Sequence, residues 1–192
     1  MLQSLYHWTM GLAAHRHAVW WLAAIAFIES SVFPVPPDVL LIAMVLAARH
    51  RAWEYAAICT IASVLGGLLG YAIGYGLFET VGMWVLNLYN LGTKFAAFQH
   101  QFNEHGIAIV AISGLTPFPY KVVTIASGVT QLDLLTFTAT SVVARGLRFF
   151  LVCALLWQFG PPIRAFIEQR LGLMLTLFVV LLVGGFAALK LL

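Results

Sequence analysis

The stretch Phe33-Pro34-Val35-Pro36-Pro37-Asp38 returns 83 residues later as Thr116-Pro117-Phe118-Pro119-Tyr120-Lys121, each time inside a long apolar run. Proline lacks a backbone donor and breaks a helix. Each copy therefore marks a place where the chain cannot cross a bilayer as one straight helix. Broken backbone at membrane depth survives only where protein or a water-filled cavity covers it. The last residue of the two copies carries opposite charge, Asp38 and Lys121. Paired broken segments in corresponding halves of a membrane protein point to a transport site.

Working outward, the 192-residue chain is 62% hydrophobic and only 9% charged. Soluble domains carry roughly 25% charged residues, so the expected class is an all-α integral membrane protein. A net charge of +3 is too small to suggest nucleic acid as a partner. It fits basic cytoplasmic loops beside anionic headgroups. Cys59 and Cys153 stand in apolar stretches without metal-ligand or redox spacing, and read as small buried residues. The six histidines (His7, His15, His17, His50, His100 and His105) form no helical metal pair. No metal or other cofactor is expected.

A spanning helix needs about 20 mostly apolar residues. Residues 55–78, 134–160 and 171–190 qualify, giving about three transmembrane helices. Residues 18–48 are apolar but divided by Pro34, Pro36 and Pro37 into two arms, each shorter than a span. Arg16 precedes this stretch and Arg49 and Arg51 follow it. Positive loops favour the cytoplasm, so both ends are expected on that face and the stretch reads as a re-entrant hairpin. The N-terminal segment 1–17 reads as an interfacial lead-in on the cytoplasmic side. The connection 79–105 holds Glu79, Lys94 and Glu104, a net of −1, and reads as an outer amphipathic segment. Residues 106–130 then form a second re-entrant hairpin from the outer face. The loop 161–170 is cytoplasmic, and the expected location is a bacterial inner membrane.

Between the two broken stretches, Ser30 matches Ser113, Pro34 matches Pro117, Pro36 matches Pro119 and Ala43 matches Ala126. With one spanning helix between them the two hairpins oppose each other as an inverted repeat, a recurrent transporter design. Convergent use of proline at two unrelated breaks is the alternative.

Glu29-x4-Pro34-x-Pro36-Pro37-Asp38, the second proline segment with Gly128, and Ala144-Arg145-Gly146-Leu147-Arg148-Phe149 together resemble the DedA superfamily, also called the VTT or SNARE-associated family. The small YqaA-like branch is the nearest likeness, over roughly residues 20–160. The resemblance implies opposed re-entrant hairpins and movement of lipids between leaflets, of undecaprenyl phosphate or phospholipid, with the proton motive force as a driving force in some members. Many members carry an Arg three residues before and another three after the second-hairpin proline. Gly114 and Tyr120 stand there in this chain, with Lys121 one step later and Arg145 and Arg148 on the following helix.

The charged residues make a parallel case. Glu29, Asp38, Lys121, Arg145 and Arg148 all lie within or beside apolar stretches. At roughly 2.5–3.5 kcal/mol per charge, five unpaired groups cost about 12–17 kcal/mol, so they must pair, neutralise or meet water. Arg145 and Arg148 share a helix face, with Ser141 one turn before. Two acids against three bases leave one positive charge, which an anionic headgroup would balance. Lys121, Arg145, Arg148 and Ser141 are the candidate headgroup ligands; Glu29 and Asp38 compete for those cations or carry protons. Static ion pairs that fasten the hairpins to the bundle are the alternative. Ala62, Gly66, Gly70 and Gly74 form a small-residue stripe on the first span that lets another helix approach closely. Its partner is either a hairpin of the same chain or a second copy in a homodimer.

The expected function is a lipid or lipid-phosphate translocase of flippase or scramblase type, with protons as the candidate coupling ion. A coupled small-solute or ion transporter and a non-transporting membrane scaffold are the competing readings. An enzyme is not expected, because no Gly-x-Ser-x-Gly segment, His-Glu-x-x-His pair or histidine beside the Arg pair is present.

Overall fold

The apolar run from Ala18 to Ser31 contains neither Gly nor Pro and forms helix α1. Its buried face is Ala18, Leu22, Ala26 and Ser30, every fourth residue, while Trp20 and Trp21 point outward. Ser31 closes the helix by donating its hydroxyl to the Phe27 and Ile28 carbonyls. The computed structural model describes residues 17–31, 37–89, 92–116 and 119–160. The interfacial segment up to Arg16, the breaks with Pro34, Pro36 and Pro117, the loop 161–170 and the expected span 171–190 lie outside the described residues.

Pro37 precedes helix α2, Asp38–Ala47, and its carbonyl accepts the first helical bond, from Leu41 at 2.9 Å. A short 3-10 turn, Arg49–Arg51, leads into helix α3, Ala52–Leu77. A π turn at Phe78–Gly82 follows, then α4 (Met83–Leu88) and α5 (Gly92–Glu104). Helices α6 (Gly106–Leu115), α7 (Tyr120–Val129) and α8 (Leu134–Gly160) complete the described chain. All regular structure among the described residues is helical.

Length separates these helices into two kinds. At a rise of 1.5 Å per residue, the 26 residues of α3 and the 27 of α8 each extend about 40 Å. That exceeds the roughly 30 Å hydrocarbon core of a bilayer. The 10 to 14 residues of α1, α2, α6 and α7 reach only about 15–21 Å. Two described helices are thus long and apolar enough to cross a membrane.

The long helices run antiparallel. Tyr71 donates to the Leu132 carbonyl at 2.7 Å near one end, and Arg49 donates to the Trp157 carbonyl at the other. Trp53 stacks on Phe150 and lies 6.2 Å from Trp157 at that second end. Glycine lets two short helices meet α3 backbone to backbone. A Cβ at Gly66 would strike the Phe27 carbonyl of α1, and one at Gly74 the Ile125 carbonyl of α7. Gly128 of α7 meets the Tyr71 carbonyl in return, and Gly70 seats the Thr124 side chain. Ala62 joins the apolar cluster around Leu22, Leu41, Met44 and Phe149. The small-residue stripe is occupied by arms of its own chain. Cys59 and Cys153 are free thiols buried in the same cluster.

Helix α7 ends in a hydrogen-bonded reversal. Leu132 N–H returns to the Ser127 carbonyl at 2.9 Å and Gln131 N–H to that of Gly128 at 3.1 Å. Gln131 takes the left-handed conformation (φ 54°) that such a cap requires, where Gly or Asn is usual. Asp133 then starts α8: its carboxylate accepts from the Thr136 amide at 2.7 Å and the Thr136 hydroxyl at 2.8 Å. Those bonds hold the Asp133 carboxyl below its usual range. A lowered carboxyl pKa stabilises the fold above the unfolded value near 4 and is lost as pH falls through the folded value. Asp133→Ala is expected to lower the melting temperature by a few degrees at pH 7 and by progressively less as pH falls below the ordinary carboxyl range, measured by thermal unfolding in detergent across an acid pH series.

Candidate functional site

Five elements converge on the middle of α8. Arg145 leaves that helix fully enclosed, with 1% of its side chain exposed. Its Nη2 pairs with Glu29 of α1 at 2.9 Å and reaches the Ser30 hydroxyl at 3.3 Å. Its Nε donates to Ser63 of α3 at 2.5 Å. The Ser30 and Ser63 hydroxyls share a 2.7 Å hydrogen bond, and Ser30 also donates to Glu29 at 3.2 Å. The guanidinium carbon lies 4.8 Å from the Tyr120 ring centroid and 4.9 Å from that of Phe149. Cations are attracted to such ring faces, more strongly where water is excluded. A guanidinium supplies the planar fork and the flat face that this arrangement uses; an ammonium supplies neither.

One turn on, Arg148 leaves the same helix face toward the second short arm. Its Nη2 pairs with Asp38 Oδ2 at 2.6 Å, and its Nη1 donates to the Thr116 carbonyl at 3.1 Å. Asp38 opens α2, and Thr116 closes α6, so Arg148 ties the two broken ends together. This pair is more open, with 20% of the Arg148 side chain and 27% of the Asp38 side chain exposed. Asp38 Oδ1 is buried without a hydrogen-bond partner among the described residues. An unsatisfied buried acceptor costs about 1–3 kcal/mol, more when charged.

The remaining candidates fall into place around these pairs. Ser141 makes no hydrogen bond to Arg145 or Arg148 among the described residues; it accepts a 2.6 Å bond from the Tyr120 hydroxyl and so fixes the ring that faces Arg145. Lys121 stands half-buried on the first turn of α7 and makes no ion pair among the described residues. It is the surplus cation left when two acids are set against three bases. Both membrane acids come from the first part of the chain, and all three bases from α7 and α8.

Tyr120, Phe149, Ser30, Ser63 and the Thr116 carbonyl were not legible as site groups in the sequence. Tyr120 had one signal, its place between the break at Pro119 and Lys121. Ser63 had only a weak one, a hydroxyl inside a charge-free span. No group of three or more His, Cys, Asp or Glu that could hold a metal occurs among the described residues.

An uncharacterized protein of Haemophilus influenzae is 36% identical over 190 residues, covering 97% of each chain. An uncharacterized protein of Histophilus somni is 34% identical over 168 residues, covering 88% of this chain and 87% of its own. No solved structure matches. The family model of the VTT domain, the domain of the DedA family, matches residues 35–158, a range that takes in Asp38, Lys121, Arg145 and Arg148. The chain with its two membrane-length helices and its buried charge pairs belongs to the VTT-domain, or DedA, family.

Proposed function

We propose that this protein is a translocase that carries a lipid phosphate headgroup between the two leaflets of a bacterial inner membrane. Membership of the VTT family suggests a membrane transporter-like role. The observation that carries the finer reading is the pair of ion pairs at mid-helix, each joining a broken arm to α8, together with Lys121, which pairs with no acid among the described residues. Intramembrane charges are expensive and mark substrate or ion pathways.

In this reading α1–α2 and α6–α7 are two re-entrant hairpins that enter from opposite faces. Their contacts support it. Arms α1 and α7 both run in the direction of α3, Phe27 at Gly66 and Ser30 at Gly70, then Thr124 at Gly70 and Gly128 beside Tyr71 and Tyr75. Arm α6 runs with α8 from Gly106 beside Leu132 to Gly114 beside Ala144. The described residues that flank each break, Ser31 and Pro37 in the first and Thr116 and Pro119 in the second, then fall near mid-membrane, and each outer end lies at the face where its hairpin began. The headgroup passes between the breaks while the tails stay in lipid. Lys121 and Arg148 meet its phosphate, and Arg145 with Ser141 and Tyr120 sets the wall behind them. Rocking of one hairpin against the other gives alternating access, with protons on Glu29 or Asp38 as the coupling ion.

The test is headgroup transfer in liposomes containing the purified protein and a fluorescent phosphatidylglycerol, with and without a pH gradient. Transfer well above protein-free liposomes is expected. Transfer at the protein-free rate under both conditions would sink the translocase, and solute flux without lipid movement would favour the small-solute reading.

A further inference from the structure

The two ion pairs differ in a way that assigns them different work. Arg145 is shut in: Ser63, Ser30 and Glu29 take its polar edge, and Tyr120 and Phe149 stand over its plane. No outside anion reaches it without taking apart the contact of α1, α3, α7 and α8. Arg148 is the opposite case. A guanidinium grips a carboxylate or phosphate best through two parallel N–H···O bonds. Asp38 gives it one oxygen only, Oδ2, while Nη1 is turned to the Thr116 carbonyl. The second carboxylate oxygen, Oδ1, is buried and has no hydrogen-bond partner among the described residues. Asp38 thus holds Arg148 through one oxygen only, and this pair is open to the surroundings where Arg145 is not.

We propose that Arg148 is an exchangeable oxyanion seat which Asp38 fills as an internal stand-in, and that a phosphate group takes the seat by displacing Asp38 while Glu29–Arg145 stays closed. The identity of the natural occupant as a lipid rests on the translocase reading; the exchange itself does not. A phosphate oxygen replaces Oδ2 at Nη2, and Asp38 turns its carboxylate into the accessible space beside the pair. Asp38 is the first residue of α2. Anion binding and the Asp38–Arg148 contact therefore exclude each other, and the occupant is sensed at the first residue of an arm of the fold. Arg148 is a binding residue here, and Asp38 a competitor that sets the affinity.

Affinity for a site that is competent only part of the time falls by the competent fraction. A seat free about a tenth of the time gains about tenfold when its internal occupant is removed. The experiment titrates the full-length protein in non-ionic detergent with dioctanoyl phosphatidylglycerol and, separately, with inorganic phosphate, and reads affinity from ligand-induced thermal stabilisation. Asp38→Asn is expected to bind about tenfold more tightly than the wild type. Arg148→Gln is expected to lose binding, and Glu29→Gln to show no tightening. Tightening for both probes names a general phosphate seat; tightening for the lipid alone names a headgroup seat that needs the glycerol or chains.

Equal or weaker binding by Asp38→Asn for both probes overturns the exchange, as does tightening of the same size in Glu29→Gln or retained binding in Arg148→Gln. Should Asp38→Asn fail to give folded protein, Asp38→Ser is judged by the same outcomes. Leaflet transfer by the wild type, measured on the same preparation, separates the two ideas. Transfer without tightening removes the exchange and leaves the translocase; tightening without transfer does the reverse.

Discussion

Arg145→Ala is expected to bring headgroup transfer down to the protein-free background and to lower stability by about 3–5 kcal/mol, the usual cost of stripping one partner from a buried ion pair. The reason lies in how many elements the side chain serves. Glu29 loses its counter-ion, Ser63 and Ser30 lose a charged donor, and the Tyr120 and Phe149 rings face a void. Arg145→Lys is expected to rescue little of this, because a point charge cannot bond Ser63 and Glu29 and lie flat between two rings at once. Glu29→Gln combined with Arg145→Gln should recover part of the stability, since no charge is then left alone, but not the transfer. Thermal melting with the liposome assay separates these outcomes. An Arg145→Ala protein that melts with the wild type and transfers normally would remove this residue from the centre of the mechanism.

The second large effect belongs to a residue with no functional group. Gly74→Ala is expected to destabilise the protein by about 3 kcal/mol or more, at the upper end of overpacking costs. The new methyl would collide with the Ile125 carbonyl, which is backbone and cannot rotate away. Helix α7 would have to lift from α3, and Tyr120 and Thr124 would move with it. Gly76, two residues on, is the control: a Cβ there meets nothing within 4 Å. Gly76→Ala should be neutral or raise stability by up to about 1 kcal/mol, because alanine is the better helix former. Equal melting temperatures for Gly74→Ala and Gly76→Ala would refute the close backbone approach.

These two residues also show how far the sequence could be read. The class of fold follows from composition and from where the apolar runs are cut by proline, both local properties. The charged residues could be picked out because each one is anomalous in its own surroundings. Counting two acids against three bases predicts a surplus cation. The identity of that cation as Lys121 depends on which acid meets which base, and those partners lie 116 and 110 residues apart. Nothing local couples Glu29 to Arg145 rather than to Arg148. The same limit hid Ser63, Tyr120 and Phe149, whose roles come from the register of α3, α7 and α8. It also explains Ser141. Helical spacing put it beside Arg145, but the hydroxyl on the neighbouring arm took it. The glycine stripe was visible as a surface for close approach, with its partner open between an arm of the chain and another copy. Phe27, Thr124 and Ile125 fill it from within.

The segregation of acids and bases along the chain has a consequence for biosynthesis. Glu29 and Asp38 emerge from the ribosome more than a hundred residues ahead of Arg145 and Arg148. At about 5–20 residues per second, their counter-ions arrive roughly 6–23 s later. Throughout that interval the two acids lack the arginines that hold them in the folded chain, and water, protons or lipid headgroups can shield them instead. Insertion of α8 is thus the event that locks the nascent protein, and a chain truncated before Arg145 would leave its opening arms unfastened.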